Sequence, residues 1–344
     1  MQISGNLVQN KIQIKKPKDV GRFYNKSNFG NILSGNILEL ELIEGIFLVE
    51  SNKLKVYKNK KEVKFDELIK LAIKNYDNFV INYLVFKDLR NRGIIINNSR
   101  NDHFTFEQMK IKDKKGKNYV CVFSERSIFN VQLTLDLLNE IETFQGNLWY
   151  AIVDEEGDIT YYEIQKFNPN GDIKKDKYVK FSGIFVENRV IIFDKNISLK
   201  LHKNEFFGKP FGEGLQLSLI EALYLIEGGF LQIELKDINN LKKEIIKIQP
   251  DIEDRITIYK DLKNKGLIVK TGFKFGTHFR AYTKNPDQIH AEFLIHIIKQ
   301  ENESMWEEIS RAVRLAHSVN KEILFARLSK NKKIDYIKFG RLRP

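Results

Sequence analysis

The chain carries one segment twice, as LELELIEGIFLVE at residues 38–50 and as LQLSLIEALYLIE at residues 215–227. In the second copy Leu219, Leu223 and Ile226 recur at helical spacing, which predicts a helix there and another at the same place in the first copy. A match of this length between two distant segments indicates an internal repeat, and repeats are best identified before single elements are assigned. We therefore compared the two halves of the chain along their whole length.

Four further pairs of segments follow the same order in both halves. They are SGNLVQNKIQI (4–14) with SGIFVENRVII (182–192), FKDLRNRGIII (86–96) with YKDLKNKGLIV (259–269), DHFTF (102–106) with THFRA (277–281), and WYAIVDEEGDITYY (149–162) with LFARLSKNKKIDYI (324–337). The spacing between partners drifts by a few residues, as loop insertions produce, and the order never changes. The sequence therefore predicts a tandem duplication with its seam near Lys175–Lys180.

Each repeat is predicted to contain two domains. The first has alternating strand-like segments and the helical run, and the second opens with a charged helix that ends at Gly93 or Gly266, where glycine supplies a left-handed C-cap. Strands precede and follow a further helix in this second domain, which indicates a small α/β sheet. The predicted fold class is thus α/β with a tandem duplication, each repeat a small α+β N-domain followed by an α/β domain with a mixed central sheet. The predicted domain bounds are 1–76, 77–175, 176–250 and 251–344.

The composition describes a folded protein with a preference for polyanions. The 344 residues are 42% hydrophobic and 30% charged, which suits two or more domains. The single cysteine, Cys121, excludes an intramolecular disulfide framework and a cysteine-cluster zinc site. Lys and Arg outnumber Asp and Glu by 57 to 45, and the net charge of +12 favours nucleic acid ahead of a membrane surface. With no signal core and no membrane-spanning stretch, we expect a soluble, cytoplasmic protein.

The duplication provides an internal control for residues with a chemical role. A residue needed only for packing should tend to appear in both copies, whereas an active-site residue can survive in one. In the alignment Tyr282 faces Glu107, and Lys321 faces Gly146. The region opposite His290 is the lysine-rich stretch KDKKGKN, which has no histidine. Tyrosine, histidine and lysine are therefore the candidate catalytic residues of the C-terminal copy.

Sequence motifs for metal-dependent hydrolysis are not found. The six histidines lack zinc-ligand spacing, and Asp287, Glu292 and Glu301 form no Asp…Glu-x-Lys constellation for magnesium. We therefore predict no metal and no cofactor. Cleavage of RNA without a metal needs a base for the 2′-hydroxyl, an acid for the leaving 5′-oxygen and a cation for the charged phosphorane. Tyrosine, histidine and lysine can fill these three roles.

Three ordered segments of the C-terminal copy resemble the archaeal tRNA-splicing endonuclease family. They are YKDLKNKGLIVKTGFKFGTHFRAY (259–282), HAEFLIH (290–296) and ISRAVRLAHSVNKEILFA (309–326). The tandem, half-degenerate architecture is similar to the two-repeat homodimeric branch of that family. The resemblance implies a metal-independent endonuclease that cuts precursor tRNA at bulge-helix-bulge junctions and leaves a 2′,3′-cyclic phosphate and a 5′-hydroxyl. It also implies that residues 77–175 form a degenerate, nuclease-like domain and residues 251–344 the catalytic one.

The same resemblance implies a role for each candidate residue. Tyr282 would be the general base, His290 the general acid and Lys321 the cation that stabilises the transition state. Arg314 and, less directly matched, Arg341 would clamp a flipped-out bulge base by cation–π stacking. Arg343 lies beside Arg341 and competes with it for that role.

An acidic loop is expected at the dimer interface. The N-terminal copy carries Asp154, Glu155, Glu156 and Asp158 where the C-terminal copy has SKNKKID. Acidic residues in a basic protein suit a basic pocket, and the resemblance implies that this loop inserts into the catalytic unit of a partner in a homodimer. An ordinary charged turn is the alternative, which the Gly157-Asp158 pair would also explain.

Simpler interpretations remain open for several residues. Tyr282 could be a packing residue, Lys321 a helix-end lysine and His290 a surface histidine. His278 is the weaker histidine candidate because His103 matches it in the other copy. The GFKFG segment (272–276) is predicted to be a tight turn whose lysine is solvated or bound to RNA, and KDKKGK (112–117) is a solvated loop or a contact to RNA backbone. At the level of the whole protein, the alternative is a catalytically inert RNA-binding scaffold subunit of a heteromeric endonuclease.

Overall fold

A computed structural model describes residues 3–108, 116–234, 238–298, 304–329, 331 and 333–344, without the side chains of residues 238–240. The first domain of the N-terminal repeat contains β1 (Ile3–Val8), β2 (Lys11–Ile14), α1 (Pro17–Ser27), β3 (Asn31–Leu33), β4 (Ile37–Glu41), α2 (Leu42–Glu50), β5 (Leu54–Lys58), β6 (Lys61–Val63) and α3 (Phe65–Asn75). The second contains α4 (Phe79–Asn91), β7 (Ile96–Asn98), β8 (Phe106–Gln108), β9 (Asn118–Ser124), β10 (Ile128–Phe129), α5 (Val131–Phe144), β11 (Asn147–Val153) and β12 (Ile159–Phe167).

The C-terminal repeat follows the same plan. Its first domain contains β13 (Phe181–Val186), β14 (Arg189–Ile192), α6 (Lys195–Glu205), β15 (Lys209–Phe211), β16 (Gly214–Ser218), α7 (Leu219–Glu227), β17 (Leu231–Ile233) and α8 (Ile238–Ile248). The second contains α9 (Ile252–Asn264), β18 (Ile268–Thr271), a 3₁₀ turn (Phe273–Phe275), β19 (Phe279–Tyr282), β20 (Phe293–Ile298), β21 (Ser304–Met305), α10 (Trp306–Ser318), β22 (Glu322–Leu328) and β23 (Ile334–Leu342). The order of helices and strands confirms the predicted duplication.

The two repeats share one central sheet. Its strand order is β18-β19-β20-β22-β23-β12-β11-β9-β8-β7, so the last strand of one repeat pairs antiparallel with the last strand of the other. Within each half the sheet is mixed, because β20 runs parallel to β22 and β9 runs parallel to β11. The short strands β10 and β21 also pair across the repeats. The chain is thus an internal pseudo-dimer whose two nuclease-like domains are joined edge to edge.

A shared core covers one face of this sheet. Helices α5 and α10 pack there, and the core between them contains Phe129, Tyr162, Trp306 and Phe339, which come from both repeats. Two separate cores lie between the other face and the two N-domains. No helix in the described part of the chain combines the length and apolar composition that crossing a membrane requires.

Buried glutamates explain why the segments quoted first fold alike. Glu221 caps α7 by accepting hydrogen bonds from the N–H groups of Ser218 (3.0 Å) and Gly208 (2.9 Å). Glu44 caps α2 in the same way, through the N–H groups of Glu41 (2.9 Å) and Gly30 (2.8 Å). Each carboxylate therefore fixes a helix start and the preceding turn at once, which is a capping box with an added backbone contact.

The helix that opens each nuclease-like domain is held by a repeated contact. Tyr161 donates its hydroxyl hydrogen bond to Asp88 on α4 at 2.8 Å, and Tyr336 donates to Asp261 on α9 at 2.7 Å. The predicted C-cap glycines that end these helices are confirmed, since Gly93 and Gly266 have φ of +82° and +76°. The duplication is therefore preserved down to single hydrogen bonds.

Candidate active site

The sheet topology places the three candidate catalytic residues at the same end of neighbouring strands in the C-terminal half of the sheet. Tyr282 is the last residue of β19, His290 lies just before β20, and Lys321 immediately precedes β22. Strand β20 lies between β19 and β22 and is antiparallel to the first and parallel to the second. The end of β19 and the beginnings of β20 and β22 therefore lie side by side, at the same end of these strands.

Two of the three side chains pack on or bond to Ala291, and the third belongs to the residue before it. The Lys321 Nζ donates a 2.9 Å hydrogen bond to the Ala291 carbonyl oxygen. Tyr282 is buried in contact with Ala291 and Ile268, and His290, the neighbour of Ala291 in sequence, is exposed. A half-buried lysine and a tyrosine with a mostly buried ring thus meet at Ala291, and an exposed imidazole is carried by the preceding residue. This set supplies hydrogen-bond donors, acceptors and a positive charge next to solvent.

The loop that carries His290 is held from two sides. Asn285 closes a turn in which its side chain accepts from the N–H of Asp287 (2.8 Å) and its carbonyl accepts from the N–H of Ile289 (3.2 Å). The inter-repeat connection approaches from outside, where Asp172 donates its N–H to the Thr283 carbonyl at 2.9 Å. Sequence analysis missed this role of the connection, because backbone contacts of this kind leave no side-chain pattern.

The other histidines near the sheet have structural partners. His278 accepts the N–H of Ile297 at Nδ1 (3.1 Å) and lies 3.8 Å from the Asp251 carboxylate through Nε2. Its ring also packs against His296, whose pKa is lowered by burial. Within the described ranges, no group of three or more His, Cys, Asp or Glu side chains is placed to hold a metal ion.

The two candidate clamp arginines lie near one buried tyrosine. Arg341 on β23 is the register partner of Tyr162 on β12, and Arg314 is exposed on α10. Burial raises the pKa of Tyr162, and the positive charges of Arg314 and Arg341 oppose that rise. Both guanidinium groups therefore act on the same hydroxyl, which belongs to the N-terminal repeat.

The acidic loop is the hairpin connection between β11 and β12. Asp154 organises it, since its carboxylate accepts the N–H groups of Glu156 (3.0 Å) and Asp158 (2.9 Å). Glu155 pairs with Arg126 of the same repeat. Within the part of the chain that the structure describes, the carboxylates of Glu156 and Asp158 have no ion-pair partner and are exposed to solvent. These two acids are therefore the ones that the loop presents outward.

A basic cleft that sequence analysis missed lies between the two domains of the C-terminal repeat. The cavity has a volume of about 620 Å³, and the basic cleft is defined by its lysine and arginine lining residues, which are Arg189, Lys209, Arg255, Lys270 and Arg280. Lys270 pairs with the buried Glu221 at 3.0 Å, and the Nε of Arg280 is buried with no hydrogen-bond partner among the described residues. The cations come from separate segments of the chain, so no continuous stretch of sequence predicts the cleft.

The corresponding cavity of the N-terminal repeat has the opposite character. It measures about 250 Å³, and its charged lining residues are Glu41 and Asp102. In the sequence alignment, Thr105 stands where the other repeat has Arg280. Comparing the copies for cations as well as for catalytic side chains would have given this signal. Residues 112–115 of the KDKKGK segment lie outside the described residues, and its last residue, Lys117, pairs with Glu107 at 3.5 Å.

Comparisons with known proteins find the same two domains in each repeat. The family described as "tRNA intron endonuclease, catalytic C-terminal domain" matches residues 79–161 and 252–336, and "tRNA intron endonuclease, N-terminal domain" matches residues 3–69 and 181–247. The chain is 36% identical to a tRNA-splicing endonuclease of Methanococcoides burtonii, covering 98% of this chain and 99% of that one. It is 34% identical to that of Methanosarcina mazei over 94% of each chain.

A shorter relative matches one repeat. The tRNA-splicing endonuclease of Methanothermobacter thermautotrophicus is 35% identical over its whole length, which corresponds to 48% of this chain. Both family domains occur twice here and in the same order. The chain therefore belongs to the tRNA intron endonuclease family, as the sequence resemblance predicted.

Proposed function

We propose that this protein is a metal-independent endoribonuclease that excises introns from precursor tRNA at bulge-helix-bulge junctions. The observation that supports it most strongly is that Tyr282, His290 and Lys321 lie at the same end of neighbouring strands, with Lys321 and Tyr282 both at Ala291, in the repeat that alone carries these side chains. Family membership supports the substrate class. With its single cysteine buried, the chain needs no oxidising compartment, so a cytoplasmic location fits this activity.

The proposed reaction is an internal transfer at phosphorus. Tyr282, as its phenolate, accepts the proton from the 2′-hydroxyl of the nucleotide on the 5′ side of the cut, and the 2′-oxygen bonds to phosphorus. The bond from phosphorus to the 5′-oxygen breaks, and His290, as its imidazolium, gives its proton to that leaving oxygen. The products carry a 2′,3′-cyclic phosphate and a 5′-hydroxyl.

Lys321 is suited to stabilise the charge that develops on the phosphorane. An ammonium group has three donors, and the Ala291 carbonyl takes one of them in a fixed direction. The remaining donors can meet a phosphate oxygen without reorientation, and preorganised donors of this kind contribute strongly to catalysis. The lysine is therefore held before substrate arrives.

Arg314 and Arg341 are proposed to clamp a flipped bulge base between two guanidinium planes. Both arginines lie near Tyr162, so Arg314 on α10 and Arg341 on β23 are on the same side of the sheet, which supports this role. A planar cation stacks on an exposed base without reading its sequence. The clamp would recognise the bulge rather than the intron.

We further propose that the protein acts as a homodimer in which the acidic loop of one chain enters the basic cleft of its partner. The loop is acidic only in the N-terminal repeat, and the cleft is basic only in the C-terminal repeat. Each chain thus offers one loop and one cleft, and two copies can satisfy both contacts in a closed, two-fold arrangement.

The loop does not reach the cleft of its own chain. Strand β12, which leaves the loop, is separated from β19 at the cleft by four strand spacings, or about 19 Å. The loop also packs on its own repeat, where Gly157 approaches Leu84 of α4. A contact between loop and cleft therefore has to involve a second copy, and it would fix two active sites at a set distance on one substrate.

Cleavage of defined RNAs tests the proposal and separates it from an inert scaffold subunit. The purified protein is incubated with an RNA that contains a bulge-helix-bulge and with a fully paired control of the same length. We expect two cuts in the bulged RNA, with cyclic phosphate and 5′-hydroxyl ends, and none in the paired control. Tight binding without cleavage would instead favour the scaffold, and 3′-hydroxyl products would exclude the proposed chemistry.

A further inference from the structure

We propose that Phe273 is a base-stacking residue for the RNA substrate, in addition to the two arginines. This inference rests on the proposed function. The side chain of Phe273 is 89% exposed, the highest value among the large hydrophobic residues that the structure describes. A phenyl ring that is so exposed contributes little to the folded core. The reason for a phenylalanine at this position therefore has to come from its surroundings.

The ring is presented from a fixed backbone. Phe273 begins the 3₁₀ turn between β18 and β19, in which the N–H of Phe275 donates to the Gly272 carbonyl at 2.8 Å and that of Gly276 to the Phe273 carbonyl at 3.1 Å. Gly276 ends the turn with φ of +60°, and the buried Thr277 hydroxyl donates to the Phe279 carbonyl at 3.2 Å. Because the backbone of the turn is already ordered, only the side-chain rotamer of Phe273 has to be fixed when a base stacks on the ring.

The turn lies against the candidate active site. The ring of Phe275, two residues beyond Phe273, has the Lys321 ammonium 5.6 Å from its centroid. On the other side Gly276 approaches Leu315, the neighbour of Arg314 on α10. Lys274, between the two phenylalanines, is exposed. The turn that carries Phe273 therefore lies beside Lys321 and beside the segment of α10 that carries Arg314, and it includes the exposed Lys274. A basic setting of this kind suits a nucleic acid better than an apolar protein surface.

The internal control supports the same interpretation. The catalytic repeat reads GFKFG at residues 272–276, in the turn between β18 and β19. The turn between β7 and β8 of the degenerate repeat, residues 99–105, has no exposed phenylalanine, tyrosine or tryptophan, because its one phenylalanine, Phe104, is buried. The occupant we assign is an unstacked nucleobase of the bulge, because every base offers a flat π face and stacking tolerates any sequence.

Substitutions that separate the π face from bulk test this assignment. Phe273→Ala and Phe273→Leu should each weaken binding of bulged RNA by about 5- to 100-fold, the range expected for one base–aromatic stack, whereas Phe273→Trp should restore it. Phe193→Ala, which removes a phenylalanine that is 65% exposed in the N-domain of the same repeat, is the matched control and should bind normally. Thermal unfolding of all four variants should match that of the wild type.

Abasic substrates locate the stacked base. With a single abasic nucleotide at the stacked bulge position, wild type and Phe273→Ala should bind equally, while at other positions the difference should persist. Leucine that binds as well as phenylalanine, or an effect that no abasic position removes, would overturn the assignment. So would a change in sedimentation caused by Phe273→Ala, which would indicate a second protein copy as the occupant. If the wild type neither binds nor cuts bulged RNA, the proposed function itself fails; if it does both and Phe273→Ala is normal, only the stacking role fails.

Discussion

The Lys321 ammonium donates a 2.9 Å hydrogen bond to the carbonyl oxygen of Ala291, the residue that follows His290. This contact joins the start of β22 to the loop before β20, so it holds the lysine next to the backbone that carries the histidine. Tyr282 packs on the same alanine. Three roles in the proposed reaction thus depend on the position of one backbone segment.

Replacing His290 by alanine should slow cleavage by about 10²–10⁴-fold, which is the usual contribution of a positioned acid or base. Affinity for RNA should change little, because the imidazole is assigned to the leaving oxygen rather than to binding. Single-turnover rates at saturating enzyme, together with filter binding, measure the two effects separately.

His317→Ala is the matched control, since His317 is an exposed histidine on α10. His278→Ala should be far milder in rate than His290→Ala and should act on stability, because it leaves the N–H of Ile297 without its acceptor. A larger loss of rate from His278→Ala than from His290→Ala would show that the acid has been wrongly assigned.

Arg314→Ala should weaken recognition of the bulge by about 0.5–2 kcal/mol, the range of a cation–π contact, while the chemical step is unchanged. Arg314→Lys should restore the affinity only in part, because an ammonium group lacks the planar face of guanidinium. Arg341→Ala should have a similar effect. Competition binding with bulged and paired RNAs measures the difference.

Arg343 supplies the comparison for Arg341. It lies two residues further along, beyond the end of β23, and Arg343→Ala should alter only the general affinity for RNA. Identical behaviour of the alanine variants at 314, 341 and 343 on bulged and paired RNA would eliminate the clamp.

Neutralising the outward acids of the loop should act on assembly before chemistry. The double variant Glu156→Gln and Asp158→Asn keeps the loop shape, because Asp154 still accepts the two backbone N–H groups. We expect a folded protein that sediments largely as a monomer and loses paired cutting of the two bulges. High salt should shift the wild type in the same direction, since exposed parts of the contact are screened over about 10 Å at 0.1 M salt.

Glu187→Gln, an acid-to-amide change in the exposed hairpin between β13 and β14, controls for the loss of surface charge. Lys209→Glu in the basic cleft should dissociate the dimer as the loop variant does. A double loop variant that remains dimeric at sub-micromolar concentration would place the interface elsewhere and make the loop an ordinary turn.

Acid stability should distinguish the two capping glutamates. Burial raises the pKa of Glu221, but the Lys270 ammonium and hydrogen bonds from Ser218 and Gly208 outweigh it, so its pKa lies below 4.5. Glu221 thus contributes stability above pH 4.5 that is lost as the pH falls through its lower folded-state pKa. Burial dominates at Glu44, whose pKa is raised above 4.5. The ionised Glu44 carboxylate therefore destabilises the folded protein when the pH is above that raised pKa. This destabilisation disappears as the pH falls below 4.5.

Urea unfolding of wild type, Glu221→Gln and Glu44→Gln between pH 7 and pH 3.5 measures both effects. As the pH falls, the free energy of unfolding of wild type should lose its advantage over that of Glu221→Gln. Relative to Glu44→Gln, the free energy of unfolding of wild type should instead increase. Parallel pH profiles for the two variants would contradict the opposite environments of the two carboxylates.

Local patterns predicted much of this molecule. The helix at Leu219–Glu227, the C-cap glycines and the succession of strands and helix along the last domain follow from spacing and from glycine geometry, which depend on neighbours in sequence. The predicted helix was too long at its start, because residues 215–218 of the quoted run belong to strand β16. The duplication made each prediction testable twice. The four domain bounds stay predictions, which limited proteolysis near Lys175–Lys180 would check.

Contacts between distant segments were not predictable in the same way. The pairing of β12 with β23 joins edge strands whose sequences read like any other half-buried strand. The basic cleft draws its cations from both domains, and the backbone contact from Asp172 to Thr283 involves no diagnostic side chain. Tyr282, His290 and Lys321 could be named because they differ between the copies, although their common partner, Ala291, carries no such signal.

The central claim is that a 2′-hydroxyl, activated by protein side chains without a metal, cuts the RNA. It is tested most directly by the cleavage rate of two bulge-helix-bulge RNAs in EDTA, one all-ribose and one with a single 2′-deoxynucleotide on the 5′ side of each cut. The account predicts full activity on the first RNA and no cleavage of the second, although both bind equally. Cleavage of the deoxy-substituted RNA, or loss of all activity in EDTA that magnesium restores, would contradict it.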